Sequence, residues 1–153
     1  MKKQIICILA AALLFASGCA KNTNITMDTS AVADKLISTV KFSDQMSAVD
    51  DKTALKLYGL KSEDVTKLKV YESTGATAEE VAAFEAKDDT AAAAVKEAAQ
   101  KRIEDQKTGF ADYQPKEMAK LKAPVLIAKG KYVILCVSDD NSTAQKVIDG
   151  FIK

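Results

Sequence analysis

The chain has 153 residues, with 22 Lys and Arg residues against 21 Asp and Glu residues, and it contains no His and no Trp. This length fits one domain, and the near-zero net charge excludes the broad basic surface of a nucleic-acid-binding protein. The lack of His excludes Ser-His-Asp and Cys-His catalysis and every metal site that depends on imidazole. We therefore expect no metal, no other cofactor and no nucleic-acid partner.

The first residues have the pattern of a secretory signal. Lys2 and Lys3 supply the positive start, and an apolar run from Ile5 to Ala16 follows. As a helix this run would span about 18 Å, well short of the ~30 Å hydrocarbon core of a bilayer. The pattern indicates a signal peptide over residues 1–18 rather than a membrane-spanning helix.

The signal ends in Ala16-Ser17-Gly18-Cys19, which resembles the lipobox of bacterial lipoproteins. In that family the Cys sulfur receives a diacylglyceryl group, and the chain is cut just before the Cys. The resemblance implies that Cys19 is lipidated and anchors the chain to the outer, extracytoplasmic face of the cell membrane, because two acyl chains anchor stably. The alternative is an ordinary signal with an incidental Cys. Residues 19–29 are polar and lack periodicity, which predicts a tether.

The number and positions of the Cys residues agree with this predicted location. Cys7 lies in the signal and Cys19 would be lipidated, so Cys136 would be the one remaining thiol and no intramolecular disulfide would form. Cys136 lies in the apolar run from Tyr132 to Val137. We expect a buried thiol that behaves as a small, inert hydrophobic side chain.

Two helices are predicted next. Ser30 can cap a helix whose apolar residues repeat at helical spacing. These residues are Val32, Leu36, Ile37 and Val40. Asp50 can cap a second, shorter helix through Tyr58, and Gly59 suits the C′ position, where a positive φ is needed. Residues 43–49 between the two helices look like a loop.

The middle of the chain predicts one strand and leaves one segment open. Residues 65–73 alternate between apolar and polar, as expected of a strand with one wet face. Thr77-Ala78-Glu79-Glu80 has the spacing of a capping box, which favours a helix. Val81 to Ala86 also fits a strand that pairs with the preceding one. These residues alone leave both interpretations of 77–87 open.

The remaining elements have stronger patterns. Residues 88–112 are rich in Ala and carry a narrow apolar stripe, which predicts a long helix that ends before Pro115. Residues 123–128 and 131–138 are apolar runs separated by a two-residue turn, which predicts a hairpin of two central strands. Residues 139–142 can cap a final amphipathic helix.

In chain order these elements read ααββαββα, with two helices at the N-terminal end. We predict a single α+β domain over residues 30–153, built from an antiparallel sheet of three to four strands packed against helices on one face.

Several short segments match a known family in order and spacing. They are Leu57-Tyr58-Gly59-Leu60 with Asp64, Glu80-Val81-Ala82-Ala83-Phe84, Ala86-Lys87-Asp88, Lys101-Arg102, Tyr113 with Pro115, and Gly130-Lys131-Tyr132-Val133. In these segments the chain resembles a family of Gram-positive bacterial lipoproteins catalogued as domain of unknown function family 4358. The resemblance implies that residues 78–87 form a strand. It implies no activity and no functional residues, because the family has none assigned.

The candidate binding residues are Arg102 and Tyr113. Arg102 is the sole Arg of the chain, and its planar guanidinium can clamp a carboxylate or a phosphate. Tyr113 lies three helical turns further on and would line the same patch. The alternative is a structural Arg bonded to carbonyls or to an acid. Adjacent acids such as Glu79-Glu80 are better explained by helix capping than by acid/base catalysis.

No catalytic constellation emerges, so we do not expect an enzyme; a carboxylate-based hydrolase is the one enzyme class left open. We expect a lipid-anchored extracytoplasmic lipoprotein that works by binding, as a protein-interaction or accessory module with an envelope protein as its partner. The alternative is a receptor for a small ligand or a cell-wall fragment, with Arg102 as a polar anchor in a pocket.

Overall fold

The structure is a computed structural model that describes residues 25–152. The predicted signal peptide, the predicted lipidation site Cys19 and residues 19–24 of the predicted tether lie outside this range. Within it, every helix is too short or too polar to cross a bilayer.

The described residues contain five α-helices, five β-strands and two short 3₁₀ helices, Ser62–Asp64 and Pro115–Glu117. The helices are α1 (Thr29–Thr39), α2 (Asp51–Tyr58), α3 (Asp89–Tyr113), α4 (Met118–Lys122) and α5 (Asn141–Phe151). The strands are β1 (Ser47–Val49), β2 (Val65–Glu72), β3 (Glu80–Ala86), β4 (Val125–Lys129) and β5 (Tyr132–Val137). The α+β class is confirmed. The predicted order lacked β1, which lies where a loop was expected, and the short α4.

The strands form one antiparallel sheet in the order β1-β2-β3-β5-β4. β3 lies at its centre, where Ala82 pairs with Val70 of β2 on one side and with Leu135 of β5 on the other. All seven residues of β3 are buried. The strand that the family resemblance implied for residues 78–87 is therefore confirmed over β3.

Helices cover both faces of the sheet, and the expectation of helices on one face was wrong. Phe84 and Leu135 face the core shared with α2, α3 and α4. Val81 and Ile134 face the opposite core, which α1 and α5 cover. The reason is that β3 and β5 carry apolar residues at successive positions, so both faces of these strands must be shielded from water.

Capping residues fix the helix ends close to the predicted positions. The Asp50 carboxylate accepts the Thr53 N–H at 3.1 Å, and α2 ends at Gly59, whose φ is 62°. The Asp88 carboxylate accepts the Ala91 N–H at 2.8 Å at the start of α3. The caps at residues 50 and 88 and the Gly59 terminus thus agree with the sequence pattern.

The start of the folded domain lies earlier than expected. Asp28, not Ser30, caps α1, because its carboxylate accepts the N–H groups of Ser30 and Ala31 at 2.9 and 3.2 Å. Met27 is only 3% exposed and packs in the core beneath α1. The last residues assigned to the tether therefore belong to the domain.

Cys136 lies near the end of β5 and is fully buried. Burial raises the pKa of its thiol to about 12. Because the thiolate is the reactive species, we expect no measurable labelling of native Cys136 by a thiol reagent at pH 8. The test uses a chain with Cys7→Ala and Cys19→Ala, labelled with and without guanidinium chloride. Added Ser142→Cys is the positive control, and rapid labelling of native Cys136 would contradict the expectation.

Candidate functional site

A cleft of about 450 Å³ lies between α3 and the segment that links β2 to β3. Glu72 and Glu80 line it from the sheet, and Arg102, Gln106 and Phe110 line it from α3. We refer to this feature as the α3 cleft. It is polar at the sheet and aromatic at its outer end.

The polar end results from strand register and helix periodicity. Glu72 and Glu80 are paired directly across β2 and β3. Two like charges in such a pair repel each other unless a cation lies between them. Arg102 and Gln106 are four residues apart, so they lie on the same face of α3. This face places the guanidinium between the two carboxylates.

Glu80 is the centre of the hydrogen-bond network and is 0% exposed. Its Oε2 accepts from Nη2 and Nε of Arg102 at 2.9 and 3.1 Å, and from Nε2 of Gln106 at 2.9 Å. Its Oε1 accepts from the hydroxyl of Tyr58. Nη2 of Arg102 also donates to Oε1 of Glu72 at 2.5 Å. The buried carboxylate therefore has hydrogen-bond donors on both of its oxygens.

The network shifts the pKa values of several side chains at the floor of the cleft. Burial disfavours the charge of Arg102, but Glu80 and Glu72 outweigh this effect and raise the Arg102 pKa. Burial and the neighbouring Glu80 raise the pKa of Glu72, with Arg102 opposing them. Burial and Glu80 also raise the pKa of Tyr58 well above its ordinary value. Tyr58 therefore stays protonated and serves as a permanent donor.

The structure does not bring the two predicted site residues together. Arg102 lines the α3 cleft, where it is bonded to acids as the structural alternative stated. Tyr113 is 66% exposed and lies outside the cleft lining. Its ring centroid is 6.2 Å from that of Phe110, which is the aromatic residue that lines the cleft. Glu72, Glu80 and Gln106 were not predicted as site residues.

A match to a known protein family covers most of the domain, including the α3 cleft. The profile of the domain of unknown function (DUF4358) matches residues 38–138. The chain belongs to this family. No curated protein and no solved structure gives a match. The DUF4358 segment runs from the end of α1 through β5, so it contains all five strands and every residue of the network around Glu80.

A second buried charge cluster adjoins the α3 cleft in the DUF4358 domain. Nζ of Lys120 lies 3.0 Å from Oε1 of Glu79 and 3.0 Å from Oε2 of Glu117. Glu79 also accepts the N–H groups of Ser43 and Asp44 at 2.9 and 3.0 Å. The cluster holds the loop before β1, the start of β3 and α4 together.

The capping interpretation of Glu79-Glu80 was therefore wrong. Glu79 lies just before β3 and Glu80 begins it, so neither residue starts a helix. The two adjacent carboxylates serve separate networks, one around Lys120 and one around Arg102. Within the described part of the DUF4358 domain, no three His, Cys, Asp or Glu side chains are grouped to hold a metal ion.

Proposed function

We propose that this DUF4358 protein is a lipid-anchored lipoprotein on the extracytoplasmic face of the cell membrane, that it acts by binding, and that the α3 cleft is its binding site. The lipobox-like sequence at Cys19 supports the proposed membrane anchoring, together with the preceding charged and apolar segments. The hydrogen-bond network around Glu80 at the cleft floor supports the proposal that the protein acts by binding.

The observation that carries the binding proposal is the fully buried carboxylate of Glu80 beneath an open cleft. Replacing a buried ion pair with apolar residues of similar volume is often neutral or stabilising, so stability is a weak reason to place charges there. Ligand sites, in contrast, are concave and use a small number of firmly placed polar groups. Arg102, Glu72 and Glu80 form such a group.

The variant Cys19→Ala tests the proposed lipid anchoring. We expect the variant to leave the membrane fraction or to keep its signal peptide uncut, because the thiol is the acceptor of the lipid. Cys7→Ala is the matched control and should fractionate like the wild type. A Cys19→Ala protein of mature length that remains with the membranes would contradict the lipoprotein proposal.

Gly109 offers a way to block the cleft without unfolding the domain. It lines the α3 cleft from within a helix, and a Cβ placed on it meets no atom within 4 Å. Gly109→Trp adds a large ring at this wall. Gly109→Ala is the matched control, since it adds one methyl group and improves helix propensity by roughly 1 kcal/mol.

The binding test uses full-length protein purified from membranes in detergent. The protein is dialysed against the small-molecule fraction of the cell envelope, and retained compounds are identified by mass spectrometry. We expect the wild type and Gly109→Ala to retain a common compound that Gly109→Trp loses. Retention of nothing, or equal retention by all three proteins, would contradict the proposal that the cleft is the binding site.

An exposed aromatic pair supports a second candidate, a protein-interaction module at the envelope. Tyr113 is the one large hydrophobic side chain that is highly exposed among residues 25–152, and Phe110 lies beside it. Cross-linking in living cells would then capture one dominant envelope protein, and Tyr113→Ser would reduce that capture. The same variant separates the candidates: Tyr113 lies outside the cleft lining, so Tyr113→Ser should leave retention of the cleft compound unchanged.

A further inference from the structure

Two polar atoms of the ion-paired side chains at the floor of the α3 cleft, Nη1 of Arg102 and Oε2 of Glu72, have no hydrogen-bond partner among residues 25–152. Among residues 25–152, Arg102 uses Nε and Nη2 in hydrogen bonds but not Nη1, and Glu72 uses Oε1 but not Oε2. Oε1 of Gln106, which also lines the cleft, is buried without a partner in this part of the chain, but Nη1 of Arg102 and Oε2 of Glu72 are not among such buried atoms. Nη1 and Oε2 are therefore accessible to solvent, and they belong to residues that line the cleft.

The charges of the network restrict which ligand fits these atoms. One guanidinium serves two carboxyl groups, so acidic groups outnumber the single basic group among Arg102, Glu72 and Glu80. A ligand with only a carboxylate or a phosphate would be repelled, although the sequence alone suggested such a clamp. A ligand with only an ammonium group would pair with Glu72 and leave Nη1 of Arg102 without a partner.

A ligand that carries both charges on neighbouring atoms satisfies both groups. The free donor and the free acceptor are close together, because Nη2 of Arg102 lies 2.5 Å from Oε1 of Glu72. The ammonium and carboxylate of an α-amino acid are attached to the same carbon, so one head group can reach both residues. Phe110 is eight residues further along α3, about 12 Å along the helix axis. This distance leaves room for a side chain that ends against the ring.

We propose that the α3 cleft binds the zwitterionic head group of an α-amino acid, either free or attached through its side chain to a cell-wall fragment. The carboxylate of the head group accepts from Nη1 of Arg102, and its ammonium donates to Oε2 of Glu72. Such charge-assisted hydrogen bonds are about twice as strong as neutral ones. This inference rests on the proposed function, because it uses the same cleft as the binding site.

The test is isothermal titration calorimetry of full-length protein in detergent with four defined probes. These are leucine, N-acetylleucine, leucinamide and Nε-acetyllysine. We expect leucine to bind, and each capped leucine derivative to bind at least about tenfold more weakly, because each loses one charge-assisted hydrogen bond. Glu72→Gln should reduce the difference between leucine and N-acetylleucine. Gly109→Trp should abolish binding of leucine, and Gly109→Ala should retain it.

The probes also separate the two sources of the head group. Nε-acetyllysine keeps the head group free but attaches its side chain to a further amide, as in a fragment. Binding equal to that of leucine indicates a fragment, and weaker binding indicates a free amino acid.

Leucinamide or N-acetylleucine binding as tightly as leucine, or no binding of any probe, would overturn the inference. If Gly109→Trp still loses another envelope compound in that case, the proposed function stands and only this ligand class is excluded.

Discussion

Replacing Lys120 with Met is expected to lower the free energy of unfolding by about 3–5 kcal/mol, the range seen when one partner of a buried ion pair is removed. Lys120 is only 4% exposed, and its ammonium lies between Glu79 and Glu117, which are also buried. Met has a similar length but no charge. The variant would therefore keep the packing of α4 and leave two carboxylates buried without their cation.

Urea denaturation followed by circular dichroism measures this loss. Lys122→Met is the matched control, since Lys122 is in the same helix but exposed, and its free energy of unfolding should stay within about 0.5 kcal/mol of the wild type. A Lys120→Met protein within about 1 kcal/mol of the wild type would show that the cluster contributes little to stability.

The same cluster predicts a pH dependence. Burial alone would raise the pKa of Glu79, but the N–H of Ser43 and the ammonium of Lys120 outweigh it and lower the pKa below the ordinary 4.5. A carboxylate with a lowered pKa stabilises the fold above that ordinary value and loses its contribution as the pH falls through the folded-state pKa. We expect wild-type stability to decline below about pH 4.5, and to decline less in Lys120→Met.

The parts of the fold that the sequence predicted well depend on neighbouring residues. Asp50 and Gly59 cap the two ends of α2, Asp88 caps the start of α3, and the turn at Gly130 joins β4 to β5, all from signals within a few residues. β1 and α4 have three and five residues, too few to show a period. β1 exists because it pairs with β2, and α4 is held by the buried Lys120. Such long-range contacts leave no local pattern.

The candidate site was predicted only in part for the same reason. Arg102 was identified because it is the one Arg of the chain, but its partners depend on the pairing of Glu72 with Glu80. Glu72 and Glu80 can pair only if the segment at β3 is a strand. The residues alone did not decide between a strand and a helix there, because both faces of β3 are buried. Tyr113 is eleven residues from Arg102, about 16 Å along the helix, and this distance takes it beyond the cleft.

The network around Glu80 should behave differently from an ordinary stabilising contact. Arg102→Met is expected to cost about 3 kcal/mol, because it leaves the carboxylate of Glu80 buried without its cation. Lys101→Met is the matched control. Lys101 is the neighbouring residue on α3, and its exposed pair with Asp105 belongs to a class worth about 0–1 kcal/mol.

A quadruple variant, Tyr58→Phe, Glu80→Leu, Arg102→Met and Gln106→Leu, is expected to recover most of that loss. It removes the buried carboxylate together with the donors from Tyr58, Arg102 and Gln106, and it replaces them with apolar groups. Urea denaturation of the wild type, the single variant and the quadruple variant measures the recovery. A quadruple variant at least as unstable as Arg102→Met would show that the network is retained for stability. Recovery to within about 1 kcal/mol would show that the fold does not need these charges, and that binding is the better reason for their presence.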